Sequence, residues 1–181
     1  MYSGHFGIAL ASAGLARRLP LALLITASFA CDIIEGVVAA FNVVDRTRVY
    51  SHSLPVAVAA GAVLGLGWLL RGGRALEALL LVLVAATHTG LDLITSKKAW
   101  WPGEPIAGLL LYEHPWLDAA LEVTLCALAW AVYLKVLPPE RRRGWLAAAP
   151  VMLLIVAQLA AAVHLEWFEP VRDQAMSKFV R

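Results

Sequence analysis

The sequence predicts an all-α fold, a polytopic transmembrane helical bundle of five full spans preceded by a short N-terminal helix, spanning or re-entrant. Three observations predict it. Hydrophobic residues make up 61% of the chain and charged residues only 15%, with a mean hydropathy of +0.73, whereas about a quarter of a soluble domain is charged. Five apolar runs reach or approach the ~20 residues that cross a hydrocarbon core of ~30 Å. The basic residues are concentrated in short stretches between those runs. The whole chain, residues 1–181, reads as a single integral membrane domain, with residues 4–137 as its chemical core and 145–168 as an additional C-terminal span.

The elements follow in order. His5 to Ala16 is a short apolar segment closed by Arg17 and Arg18, and Pro20 opens the next. The first full span runs from Leu21 to Phe41 and carries Asp32 and Glu35. A polar connection, Asn42 to Ser51, leads to the second span, Ser53 to Leu70, whose alanines and glycines suit close helix packing. Arg71-Gly72-Gly73-Arg74 is a tight turn, and the third span is Ala75 to Ile94. Thr95 to Pro115 is a longer loop in which Trp100, Trp101, Tyr112, Lys97 and Lys98 have the character of a headgroup-level segment. The fourth span is Leu117 to Leu137 and the fifth Trp145 to Phe168.

Charge excludes some classes and leaves others open. A net charge of +2 is too small to imply nucleic acid. Cys31 and Cys126 fall inside apolar runs and read as small core residues. No basic segment precedes the first apolar stretch, so a secretory signal peptide is not expected. Alternation of the spans puts eight basic residues on one face and seven on the other, a one-charge margin that favours an extracytoplasmic Thr95–Pro115 loop but is too small for the positive-inside rule to settle orientation.

The polar residues inside the runs converge. His88 and Asp92 are four apart, one above the other on one helical face, and each is costly in a bilayer. They lie in the last turns before the loop face, and His52 enters the second span from that same face. Asp32 is about 15 Å below it at ~1.5 Å per residue, with Glu35 one turn shallower. His5 begins near that face if the first segment descends to Arg17 and Arg18. Histidines and carboxylates without cysteine suit zinc, manganese or iron in an open, catalytic site. Three histidines and two aspartates exceed one tetrahedral shell, so two metals, with Asp92 or Asp32 bridging, are expected.

Gly4-His5-Phe6, the first-span Asp32, Arg48-Val49-Tyr50-Ser51-His52-Ser53-Leu54, His88-Thr89-Gly90-Leu91-Asp92-Leu93-Ile94-Thr95 and Trp101-Pro102-Gly103 together resemble the bacterial family of predicted membrane-bound metal-dependent hydrolases (YdjM-like). The resemblance covers roughly residues 4–137 and places His5, Asp32, His52, His88 and Asp92 at motif positions. It implies a metal-dependent hydrolase of the bacterial inner membrane. The order of these residues is also distantly similar to the ligand order of the zinc-dependent phospholipase C and P1 nuclease group, which implies a phosphoester substrate.

The expected function is hydrolysis of a lipid or lipid-linked (phospho)ester by metal-activated water. His5, Asp32, His52, His88 and Asp92 hold the metals, Asp32 or Glu35 handles the proton, and Arg48 meets a phosphate or contacts headgroups. A membrane lipid is the expected partner. The alternative is a metal-ion or proton-coupled transporter using the same cluster, although the cluster sits off the midplane and no clear repeat accompanies it. Glu122 is expected to hydrogen-bond a ligating histidine. His114 and Asp118 repeat the i, i+4 spacing, with Pro115 between them. His164 reads as an interfacial histidine, and Glu77 as a surface ion pair with Arg74.

Overall fold

The computed structural model describes residues 2–41, 50–137, 151–160 and 163. All its long elements are helices: α1 (Tyr2–Leu15), α2 (Leu21–Ser28), α3 (Ala30–Ala40), α4 (Leu54–Leu70), α5 (Ala75–Thr95), α6 (Pro115–Val136) and α7 (Val151–Ala160), with a 3-10 turn at Leu111–Glu113. The short helix α1 lies at the centre. On one side its Ala9 joins Leu24 and Ala27 of α2 and Leu81 and Val84 of α5 in a buried cluster. On the other, Leu10 packs with Ala129 of α6 and Val151 of α7. Apolar residues on two sides of one helix are what make it a core element rather than a surface one.

The closest helix pair is α4 with α5, and small residues allow it. Ala57, Gly61 and Gly65 recur every fourth residue along the buried face of α4. A Cβ added at Gly61 would sit 2.7 Å from Val82 Cα and 3.0 Å from Ala85 Cβ, so the backbones touch only because glycine has none.

The described residues do not form five full spans. Two helices among the described residues are long and apolar enough to cross a membrane, α5 and α6, or three if the bent pair α2–α3 counts as one span. The segment from Leu21 to Phe41 breaks at Phe29, where α2 and α3 meet at 61°. Helix α4 has 17 residues, ~25 Å at 1.5 Å per residue against a core of ~30 Å. Within the expected fifth span Val151–Ala160 is described as a helix of ten residues, and 145–150, 161–162 and 164–168 lie outside the described residues. Hydropathy averages over a window and registers neither a bend nor a shortfall of a few residues.

Candidate metal centre

The bend at Phe29 has a chemical consequence. The last carbonyls of a helix have no partner within it, and the Ser28 carbonyl at the end of α2 accepts a hydrogen bond from His88 Nδ1 at 2.8 Å. A carbonyl can only accept, so Nδ1 carries a proton, and in its neutral form the ring would present Nε2 as a lone pair. That atom is 3.5 Å from Asp92 Oδ2 and 3.8 Å from Asp32 Oδ2. It is buried and without a hydrogen-bond partner among the described residues, as is Asp32 Oδ2.

His52 is set in the same way. Its Nδ1 faces Glu35 Oε2 at 3.2 Å and Ser51 Oγ at 2.9 Å. Its Nε2 is hydrogen-bonded to Asp32 Oδ1 at 3.2 Å and lies 3.5 Å from Asp92 Oδ2, and in the tautomer that donates from Nδ1 to Glu35 it would offer a lone pair to a cation. Thr89 Oγ1 donates to the His52 carbonyl at 2.9 Å and ties this residue to α5. His5 enters from α1. Its ring stacks on His88 with centroids 3.9 Å apart and planes 10° from parallel, and its Nε2 is 3.5 Å from Asp92 Oδ1. The Ser28 hydroxyl donates to the His5 carbonyl at 2.6 Å, so one residue holds the backbone of one histidine and the ring of another.

With both rings neutral, imidazole Nε2 atoms and carboxylate oxygens face one another in a site where the three histidines are at most 2% exposed and Asp92 is 6% exposed. Such an arrangement is relieved by a proton or a metal cation between the facing atoms. The spacing fits one. Nitrogen-to-oxygen separations run from 3.2 to 3.8 Å, and a tetrahedral ion with bonds of ~2.0–2.2 Å separates its donors by roughly 3.4 Å. Two groups of ligand atoms each lie within 4.8 Å of one another: His5, His88 and Asp92, and Asp32, His52 and His88. Asp92 faces all three histidines, with Oδ1 toward His5 and Oδ2 toward His52 and His88. The donor set thus matches a divalent-metal centre.

The cluster opens into a cavity of about 250 Å3, toward which Asp32 and Glu35, each about a third exposed, form one wall. Ser96, Lys98 and Tyr112 form another. Lys98 is placed by backbone pairing with Ala107, N–H to O at 2.9 Å and the reverse at 3.1 Å. Gly108 lets that loop close, because at its φ of +153° a Cβ would collide with the Ser96 carbonyl oxygen. Burial pushes the Tyr112 phenol above its usual range, with the Asp118 charge adding to the effect, so its hydroxyl stays protonated.

Of the residues singled out in the sequence, His5, Asp32, His52, His88 and Asp92 come together, and Glu35 touches His52. Arg48 and His164 lie outside the described residues. Glu122 does not meet an imidazole. Its Oε2 accepts from the backbone N–H groups of Ser3 at 2.8 Å and Gly4 at 3.2 Å, holding the first turn of α1 just before His5. His114 is exposed while Asp118 is buried and accepts from Gln158 Nε2 at 3.3 Å, so these two share no site. Glu77 is buried, not a surface ion pair, and its Oε2 accepts from Trp68 Nε1 at 2.8 Å and the Arg74 N–H at 3.1 Å. The sequence reading missed the orienting Ser28 carbonyl and set Lys98 and Tyr112 among interfacial residues. Only the tertiary pairing of Lys98 with Ala107 brings that lysine over the cluster.

Compared with known proteins, the chain matches no family model, no curated protein and no solved structure.

Proposed function

We propose that the chain is a membrane-embedded metal-dependent hydrolase acting on a (phospho)ester of a lipid or lipid-linked substrate in the bacterial inner membrane. The observation that carries the reading is the pair of buried, unpartnered acceptors His88 Nε2 and Asp32 Oδ2 beside a cavity that Lys98 also lines. His5, His88 and Asp92 would hold one ion and Asp32 and His52, with His88 also in reach, a second, and Asp92 faces all three histidines. Zinc fits the nitrogen-rich set, and manganese or iron are compatible with it. A bound divalent ion would supply Lewis acidity, lowering the pKa of water in the site to ~7.

The chain's own residues do the rest. Glu35 keeps His52 in the tautomer that offers Nε2, and its exposed flank accepts the proton that water gives up. Lys98 meets the negative charge of the substrate and of the developing oxyanion. The protonated Tyr112 hydroxyl contributes a donor at the same wall. Water's oxygen bonds to the phosphorus or acyl carbon, the ester C–O or P–O bond breaks, and the proton passes to the departing alcohol. Support for a lipid substrate comes from the apolar surroundings, with Trp100 and Trp101 exposed on the adjoining loop.

The test is turnover of a phospholipid panel by purified protein with and without chelator. Chelator-sensitive release of headgroup or acyl chain supports the hydrolase. Metal flux into liposomes without turnover would assign the transporter instead.

A further inference from the structure

A cavity of about 590 Å3 lies at the other end of the helices from the metal centre. Helix α1 carries His5 near its start and is followed by Arg17 and Arg18. Helix α5 begins after Arg74 and carries His88 and Asp92 near its end. These three arginines line one cavity, ~20 Å from the histidines at 1.5 Å per residue over the 14 residues from Arg74 to His88.

The walls have two characters. Arg17, Arg18 and Arg74 are exposed and face a single lining carboxylate, Glu77. One oxygen of that carboxylate is already engaged by Trp68 Nε1 and the Arg74 N–H, so the cavity mouth carries excess positive charge. Deeper along α5 the lining is apolar. Leu76, Leu79 and Leu83 recur at three- and four-residue spacing, 77%, 53% and 54% exposed, which puts an uncovered apolar stripe directly below the cationic rim.

We infer that this groove is a binding site for an anionic phospholipid, with the phosphate at Arg17, Arg18 and Arg74 and an acyl chain along Leu76, Leu79 and Leu83. Charge complementarity selects the ligand. Guanidinium groups pair with phosphate oxygens in a bidentate geometry, and basic pockets between membrane helices hold anionic headgroups. The volume lies in the range of ~300–1,000 Å3 typical of ligand pockets. A zwitterionic headgroup would bring its own cation against three arginines. The site is independent of the metal centre and binds lipid at the opposite membrane surface.

Native mass spectrometry of the full chain in detergent, titrated with phosphatidylglycerol or phosphatidylcholine, tests this. Phosphatidylglycerol is expected to bind preferentially, with a preference that falls as salt rises. The triple variant R17Q/R18Q/R74Q is expected to lose affinity by on the order of 100-fold, at about fivefold per arginine, while R71Q, in a neighbouring groove, keeps it. The charge-conserving R17K/R18K/R74K retains most of the binding, and a folded melting profile in detergent qualifies each variant. Equal binding of the two lipids by the wild type would overturn the inference without any variant. So would an R71Q loss as large as the triple variant's, or displacement of the lipid by inorganic phosphate alone.

Discussion

Ser28 and His88 are joined by a 2.8 Å hydrogen bond from the imidazole Nδ1 to the main-chain carbonyl, 60 residues away in sequence. The bond exists because α2 stops at Ser28 and leaves that carbonyl without an intrahelical partner. The hydroxyl of the same residue donates to the His5 carbonyl. Replacing the side chain therefore separates the two roles. Ser28→Ala is expected to cost about 1 kcal/mol of stability while metal content is kept, because the carbonyl remains. Thermal unfolding in detergent, paired with elemental analysis, checks both halves.

Glu35 acts through His52. Its Oε2 lies 3.2 Å from His52 Nδ1, so removing the carboxylate takes away a group that biases the ring toward the tautomer with Nε2 free for a metal. Glu35→Ala is expected to weaken metal binding by about 10- to 100-fold, measured by competition with a chromophoric chelator. An affinity equal to wild type would remove Glu35 from the site.

Glu122 holds two backbone N–H groups at the start of α1. Glu122→Ala leaves both buried and unsatisfied, at a cost of about 1–3 kcal/mol each, and loosens His5. Glu122→Gln keeps an accepting oxygen and is expected to recover most of the loss in thermal stability and in metal content.

Close backbone contact at Gly61 gives a packing test. Gly61→Val must displace Val82 and Ala85 and is expected to destabilise by about 1–3 kcal/mol. Gly67→Ala, on the same helix with open space around it, is expected to change the melting temperature little.

The sequence and the structure agree unevenly, and particular residues show why. His5, Asp32, His52, His88 and Asp92 were legible as one cluster because charged and imidazole groups in apolar runs are costly and must find partners. The i, i+4 spacing of His88 and Asp92 also survives any error in span boundaries. The number of spans was not legible. Nothing in the sequence marks Phe29 as a break, since no proline or glycine stands beside it. Glu122 and Glu77 were recognisable as carboxylates in need of partners, but backbone N–H groups and an indole are partners that side-chain spacing cannot reveal.

Lys98 gives a kinetic test of substrate recognition. Lys98→Met removes the charge at the cavity wall and is expected to lower turnover of an anionic ester by about 10²-fold. Lys98→Arg is expected to retain part of it. Equal rates for wild type and Lys98→Met would place the substrate's charge elsewhere.

The central claim is that the buried histidine–aspartate cluster holds metal. Elemental analysis of purified wild-type protein beside Asp92→Ala and His88→Ala tests it most directly. About two divalent ions per chain in the wild type are expected, with loss of both in Asp92→Ala, whose carboxylate faces all three histidines. A single ion per chain, lost in both variants, would keep the centre and correct its nuclearity. Metal-free wild-type protein that stays metal-free after incubation with zinc, manganese or iron would contradict the account, as would a metal content unchanged in Asp92→Ala.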